Sequence, residues 1–336
     1  MNKDADTTKN SNMIKDSMKA FTKLFPRPST KDRLESAKIL DGYYYMQYTK
    51  LYVYHIKSKL SRFKPDAQKL IHPTEGICEE IDGYVKTAVD YMSPAMAHKE
   101  TSTYHGKMLT IDNAKKLLSL KEDLNAPSLP ESIVPYDIAR DLIINGPEEI
   151  LVMTCACREV AETGCHPRDV CLIVGEPFVS FWMEHNKMDN PRRITQAEAL
   201  EIVQAEHERG HVQMAWFKDA MANRFYALCN CCSCCCTGMI AHKYTPSPAF
   251  AGTGYTATRT EDCVGCGKCA ELCPFEAITL VDGKSVVNWD LCMGCGVCQT
   301  TCPNGAAKMV LEPKKGDPLD IDKIVANFHQ PQPAAD

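Results

Sequence analysis

Two copies of one cysteine spacing constrain this chain more than any other feature in it. Cys263, Cys266, Cys269 and Cys273 lead into Pro274, and Cys292, Cys295, Cys298 and Cys302 lead into Pro303. Each copy reads C-x2-C-x2-C-x3-C-P, and the two form an internal repeat offset by 29 residues. Four thiolates must converge on one small inorganic core to hold a [4Fe–4S] cubane. Two-residue spacers let three consecutive sulfurs wrap one face of it, and the fourth ligand comes from elsewhere. Zinc also takes C-x2-C knuckles, but two complete copies with a terminal proline argue for clusters. Gly265, Gly267, Gly294 and Gly296 remove side chains where backbone would hug a cluster. Between the runs, Ala277–Val281, Asp282-Gly283 and Val286-Val287 read as a hairpin with a favoured turn.

These runs closely resemble a bacterial two-[4Fe–4S] ferredoxin over about 50 residues. The resemblance implies that Cys263, Cys266, Cys269 and Cys302 bind one cluster. It implies that Cys292, Cys295, Cys298 and Cys273 bind the other.

The chain has 336 residues, 44% hydrophobic, enough for a buried core and about two domains. A net charge of −5 gives no reason to expect nucleic acid. The sequence holds no apolar run of transmembrane length, and its Lys/Asp-rich start is not a signal peptide. Nineteen cysteines, eight of them cluster ligands that must be thiolates, point to a reducing cytoplasm and an anaerobic setting.

The expected fold class is mixed α+β or α/β in successive regions. Residues 1–30 read as a flexible polar arm and 31–130 as a mostly helical region. Residues 131–240 read as a small α/β cysteine-rich metal domain, 241–260 as a linker, 261–311 as the two-cluster ferredoxin module and 312–336 as a tail. Helix is expected over 35–62, where Tyr43, Tyr44, Tyr45, Tyr48, Tyr52 and Tyr54 crowd together. The plain reading is an amphipathic helix packed on the body. The sharper one is an aromatic surface for a partner subunit or a weak peripheral membrane contact. Met92, Met96, His98 and His105 do not make a haem site, since no C-x-x-C-H is present.

In the central region, Ile138, Ala139, Leu142 and Ile143 suit a short helix ending near Gly146-Pro147. Ile150–Met153, Cys171–Val174, His211–Phe217 and Phe225–Leu228 read as strands. Thr195 to Glu198 is a capping box that opens a helix closed by Gly210. Strands alternating with helices argue a small, at least partly parallel sheet. Gly252-Thr253-Gly254 only weakly imitates a dinucleotide fingerprint. Ile321, Ile324, Val325 and Phe328 in the tail suit a short docking helix.

A second cysteine system lies in this region. One half is Cys155, Cys157, Cys165 and Cys171; the other is Cys229, Cys231, Cys232, Cys234, Cys235 and Cys236. Cys155 and Cys229 follow strand ends, so in a parallel sheet both halves would meet at one edge. Six cysteines in eight residues, set among Asn230 and Ser233, have no apolar pattern, and unliganded they would oxidise readily. Metal binding is the reading, through a subset of the ten. They could fill one or two further iron–sulfur clusters, one larger non-cubane cluster, or a cubane plus a zinc. Arg158, Arg168, Arg192 and Arg193 flank the first half and read as pairing with the many Glu residues; hydrogen bonding to cluster sulfur or anchoring an anionic substrate is the sharper reading. His166 is a lesser candidate ligand, and Cys78 reads as a core residue.

His105-Gly106-Lys107, Pro135–Arg140, Cys155–Arg158 and Cys229–Cys236, followed by the terminal module, resemble a family of anaerobe iron–sulfur proteins described only as 4Fe–4S ferredoxin or dicluster-domain proteins. The resemblance implies architecture rather than a reaction. No radical-SAM C-x3-C-x2-C, P-loop, flavin fingerprint or catalytic triad is present. The leading expectation is an electron-transfer protein, or a subunit of a redox complex, with a flavoprotein or dehydrogenase as partner. The alternatives are an oxidoreductase reducing a small molecule at an open central cluster, and a metal- or cluster-handling protein.

Overall fold

The computed structural model describes residues 19, 33–64, 69–74, 77–97, 104–186, 188–245 and 249–328. The arm expected over 1–30 lies, apart from residue 19, outside the described residues, as do His98 and the side chains of Met92 and Met96. The chain opens with helices α1 (Arg33–Gln47), α2 (Thr49–Leu60) and α3 (Glu79–Ala97). Then come β1 (Tyr104–Leu109), α4 (Ile111–Leu118), β2 (Leu124–Ala126), β3 (Leu142–Thr154), α5 (Ala156–Glu159), β4 (Asp169–Glu176) and α6 (Phe178–His185). β5 (Arg192–Ile194), α7 (Gln196–Glu208), β6 (Val212–Lys218), β7 (Arg224–Cys231) and α8 (Thr237–Tyr244) complete the middle. The C-terminal part holds β8 (Phe250–Ala251), β9 (Tyr255–Arg259), α9 (Lys268–Glu271), β10 (Ile278–Val281), β11 (Lys284–Val287), α10 (Val297–Thr301), β12 (Ala307–Leu311) and α11 (Ile321–Phe328).

Period-two alternation in the middle strands builds the platform. Leu151, Met153, Ile173, Met214 and Trp216 face one side, where α1, α2, α3 and α6 cover them with Tyr43, Met46, Leu51, Val85, Phe178 and Trp182. Ile150, Val152, Leu172, Val174, Ala215 and Phe217 face the other side, covered by α4, α7 and α11. The sheet order is β2-β3-β4-β7-β6-β1-β8, with β5 paired to β3. The tyrosine stretch lies in the first helical layer with Tyr43, Tyr44, Tyr48 and Tyr52 buried, so it is packing surface and not an exposed aromatic face.

The sheet, expected to be at least partly parallel, is almost wholly antiparallel. Among the named strands only the two-residue β1–β8 contact runs parallel; the other pairings in the sheet are antiparallel. Adjacent strands are joined by links too short for a crossover helix: residues 219–223 join β6 to β7, and 155–168 join β3 to β4 through a single helical turn. The expected helix over 138–143 is also absent. Leu142 and Ile144 are buried on one face while Ile143 is not, so the segment follows a period of two and starts the 13-residue β3. Gly146-Pro147 interrupts its ladder with β4 at a register shift and does not end a helix.

Domain limits shift accordingly. β1 and β2 lie in the region expected to be mostly helical yet belong to the central sheet. Within 241–260, expected as a linker, the described residues include two paired strands: β8 pairs with β1, and β9 pairs with β12 of the C-terminal module. The expected hairpin is β10–β11, turning on Asp282 and Gly283 with positive φ at both. Thr195 caps α7 by accepting from the Glu198 backbone N–H. The tail helix α11 docks as expected: Leu319, Ile321 and Ile324 are buried, each contributing about 1.5–3 kcal/mol by burial.

Candidate metal centres

The two C-terminal runs form two separate hollows. Cys263, Cys266, Cys269 and Cys302 line one, with Pro303 and Ser285. Cys273, Cys292, Cys295 and Cys298 line the other, with Pro274 and Phe275. The last cysteine of each run thus sits with the first three of the other. Two of the four glycines also answer to the protein's own packing. A Cβ on Gly265 would lie 2.0 Å from the Gly283 carbonyl oxygen, and one on Gly294 2.2 Å from that of Tyr255. Crowding by the protein's own backbone requires glycine at these two positions, whereas Gly267 and Gly296 are uncrowded and each holds a φ of +83°.

The hollows differ in exposure. Cys292, Cys295 and Cys298 are buried, while Cys266 is exposed. Burial pushes the Cys295 thiol well above its usual range and Cys298 up to about 11. At the outer hollow, the Ser285 backbone N–H, followed by its hydroxyl, draws Cys263 down to about 7. Backbone N–H groups also reach sulfur inside the module: Ala277 donates to Cys273 at 3.3 Å and Ala257 to Cys292 at 3.4 Å. Such bonds favour the ligating thiolate.

The ten central cysteines divide into six and four. β3 and β7 both run antiparallel to β4, so they point the same way, and Cys155 and Cys229 do reach one end of the sheet. Cys171 of β4 pairs directly with Cys229 of β7. The pleat then puts Cys171, Cys229 and Cys231 on the face covered by α2. Cys155 caps α5, Cys157 lies within it, and Cys236 caps α8. Neighbouring thiols close a ring: Cys155 meets Cys157 and Cys171, Cys229 meets Cys171 and Cys231, and Cys236 meets Cys231 and Cys157. The Cys171–Cys229 Sγ separation is 4.0 Å. Hydrogen bonds from Cys155 and Cys229 draw Cys171 down to about 5. Cys155, Cys231 and Cys236 donate to neighbours and are held well above the usual thiol range. A ring of six thiols that polarise one another around a hollow fits a polynuclear metal core, which would take them as thiolates.

The cavity that the ring thiols help to line is large. It measures about 150 Å³, against about 20 Å³ for each C-terminal hollow. Beyond the thiols its walls are Tyr45, Tyr52, Tyr104, Trp182, Trp216 and Lys218. The Tyr45 and Tyr226 hydroxyls lie 2.9 Å apart. Burial holds both phenols well up, so they stay protonated. Lys218 pairs with Asp41 at 2.5 Å and faces the Tyr45, Tyr52 and Tyr104 rings.

The remaining four, Cys165, Cys232, Cys234 and Cys235, gather with all Sγ atoms within 4.8 Å of one another. Cys165 comes from the loop before β4. Gly164 allows that loop to close, since a Cβ there would lie 1.8 Å from the Arg158 carbonyl oxygen. Lys57 ties the two groups together, its Nζ donating to the carbonyls of Cys157 and Cys235, both at 2.9 Å. His166 joins neither group of metal-binding geometry among the described residues. Cys78 is exposed and not a core residue; it lies just before α3, next to the exposed, charged Glu79 and Glu80.

The four arginines all meet glutamate. Arg168 pairs with Glu159 at 2.5 Å, Arg192 with Glu198 at 2.6 Å, and Arg193 with Glu149. Arg158 differs from the others in being wholly buried. It binds Glu206 at 2.5 Å and the Asn230 carbonyl at 3.0 Å, and it also reaches the Pro167 carbonyl. It thereby joins both cysteine-bearing loops to α7. No local pattern marks Lys57, 100 residues before Cys157, or Glu206 as bracing this site.

Residues 257–303 match the family of 4Fe–4S dicluster domains. No curated protein matches the chain. The C-terminal part is therefore an iron–sulfur, ferredoxin-like module, and with the central cysteines it supports an iron–sulfur electron-transfer role. Among the described residues no helix is long and apolar enough to cross a membrane.

Proposed function

We propose that the chain relays electrons between a partner protein and the six-thiol ring through two [4Fe–4S] clusters. Cys263, Cys266, Cys269 and Cys302 hold the outer cluster, and Cys273, Cys292, Cys295 and Cys298 hold the inner one. The observation that carries this reading is the continuous packing between inner hollow and ring. Cys295, Val297, Cys231 and Cys236 belong to one apolar core, with Phe275 and Met293 packed against it. A third iron–sulfur centre at Cys155, Cys157, Cys171, Cys229, Cys231 and Cys236 extends the relay inward. The outer cluster faces the partner, beside exposed Val264, Leu280 and Val281. A reducing cytoplasmic setting and a flavoprotein or dehydrogenase partner suit this chemistry.

Iron and acid-labile sulfide analysis of anaerobically purified protein, with EPR after dithionite, tests the relay. It requires at least about eight irons for the two cubanes, plus those of the ring. Fewer than about eight would refute the two-cubane assignment.

A second reading, an oxidoreductase, rests on the cavity. Its volume and its phenol wall leave space beside the ring for a small molecule, and the buried Trp182 Nε1 in that wall has no hydrogen-bond partner among the described residues. The ring cluster would deliver electrons there, and Tyr45, Tyr104 and Tyr226 would hold the protons. EPR of the reduced protein with candidate small molecules separates the readings. A ring signal that none of them perturbs, with no turnover, leaves the relay alone.

A further inference from the structure

The group Cys165, Cys232, Cys234 and Cys235 has a geometry unlike the other thiols of this chain. Its four Sγ atoms lie within 4.8 Å of one another, with Cys234–Cys235 at 3.2 Å and Cys165–Cys235 at 3.9 Å. A tetrahedral ion bonded to four sulfurs at about 2.3 Å places those sulfurs about 3.8 Å apart. A cubane keeps its thiolates wider, because an inorganic core of metal and sulfide stands between them. Neither the eight C-terminal cysteines nor the six of the ring supply a group this tight among the described residues. The chain thus carries both geometries, and this one has room for a single ion.

We propose that Cys165, Cys232, Cys234 and Cys235 bind one tetrahedral divalent ion, zinc or ferrous iron, without inorganic sulfide. Binding releases the four thiol protons and leaves a tetrathiolate unit with two negative charges. The charge is met locally. The Arg158 guanidinium acts electrostatically on Cys232, and Lys57 Nζ sits on the Cys235 carbonyl. Cys232 and Cys235 are buried, while Cys234 is exposed, so the ion closes the site and leaves one ligand at the surface. Its work is positional. Cys231 and Cys236 of the ring directly flank Cys232 and Cys235, so the ion steadies the turn between two ring thiols that β7 and α8 themselves hold in place. This inference does not depend on the electron-transfer reading.

The test uses the full chain, purified anaerobically, with zinc, iron and acid-labile sulfide measured per chain in the wild type, Cys234→Ser and Cys165→Ser. Each variant is expected to lose one metal ion with sulfide unchanged, and elemental analysis of the wild type tells zinc from iron. Loss of about four irons together with matching sulfide would show a cubane and overturn the proposal; unchanged metal content would overturn it equally. If neither variant accumulates, wild-type protein exchanged with Co2+ decides. Tetrahedral d–d bands with thiolate-to-cobalt charge transfer support the site, and their absence overturns it.

Discussion

Arg158 offers the sharpest test of how the central centre is held. Its guanidinium is fully buried and serves three acceptors: the Glu206 carboxylate, the Asn230 carbonyl and the Pro167 carbonyl. In Arg158→Met the Glu206 carboxylate loses its buried counter-charge. Removing one partner of a buried pair costs about 3–5 kcal/mol. Arg209, at 2.9 Å, and His211, at 2.6 Å, remain on Glu206 and hold the loss near the lower end, about 3 kcal/mol. Arg158→Met/Glu206→Leu removes both charges and should recover most of that, to within about 1.5 kcal/mol of wild type. Anaerobic guanidinium unfolding, followed by tryptophan fluorescence and by bleaching of cluster absorbance, reads both variants. Because Arg158 also holds the segments leading to Cys171 and Cys231, the single variant should bleach at lower denaturant than it unfolds. A single-variant loss below about 1 kcal/mol, or a double variant no better than the single, would refute the claim that this pair braces the centre.

Three further outcomes are expected. Glu206 is buried, which alone would raise its pKa, but hydrogen bonds from His211 and Arg158 outweigh this and lower it. The stability it supplies is present above about pH 4.5, the carboxyl's ordinary range, and lost as pH falls through the depressed value; Glu206→Gln should flatten that acid limb in a pH series of unfolding midpoints. Lys107 is driven down to about 7 by burial, relieved in part by the Asp317 charge. Below pH 7 the fold bears the cost of its charge, and between about 7 and 10.5 that cost disappears, a span of up to ~5 kcal/mol. Lys107→Met should therefore gain most over wild type at pH 6 and lose that advantage toward pH 10; an advantage constant across pH would argue against the buried ammonium. Gly294→Ala forces a Cβ onto the Tyr255 carbonyl at a φ of +70° and should strip the inner cluster, read as loss of about four irons with the outer EPR signal retained.

Local signals were legible where one short segment determines its own conformation. The doubled cysteine run, the Asp282-Gly283 turn and the Thr195 cap each specify a structure within a few residues, and each appears in the fold. The sheet was less legible because pairing direction depends on how distant strands meet. Helices between strands suggested parallel crossovers, yet the links between neighbouring strands proved short. Leu142 misled for a simpler reason: Ile138, Ala139, Leu142 and Ile143 fit a helical stripe, while Leu142 and Ile144 equally fit a strand face. That Cys155 and Cys229 meet was expected, but through β4 lying antiparallel between them. The division of the ten central cysteines into six and four had one readable clue, the alternation of Cys229 and Cys231 about Asn230 in β7. The assignments of Cys165 and Cys157 had none, because their loops are placed by Arg158, Gly164 and Lys57.

The interleaving in Cys229–Cys236 also governs when metal can arrive. On the proposed assignment, Cys229, Cys231 and Cys236 serve the ring, and Cys232, Cys234 and Cys235 serve the single-ion group. In the newly made chain these six thiols are equivalent neighbours, and a free ion would chelate whichever lie nearest, across the partition. Only the pleat of β7 between β4 and β6, and the turn beyond it, sorts them. The sheet must therefore close before loading begins. A metal-rich, early-loading environment would trap the chain in miswired forms, so in a cell the timing of delivery matters as much as the supply.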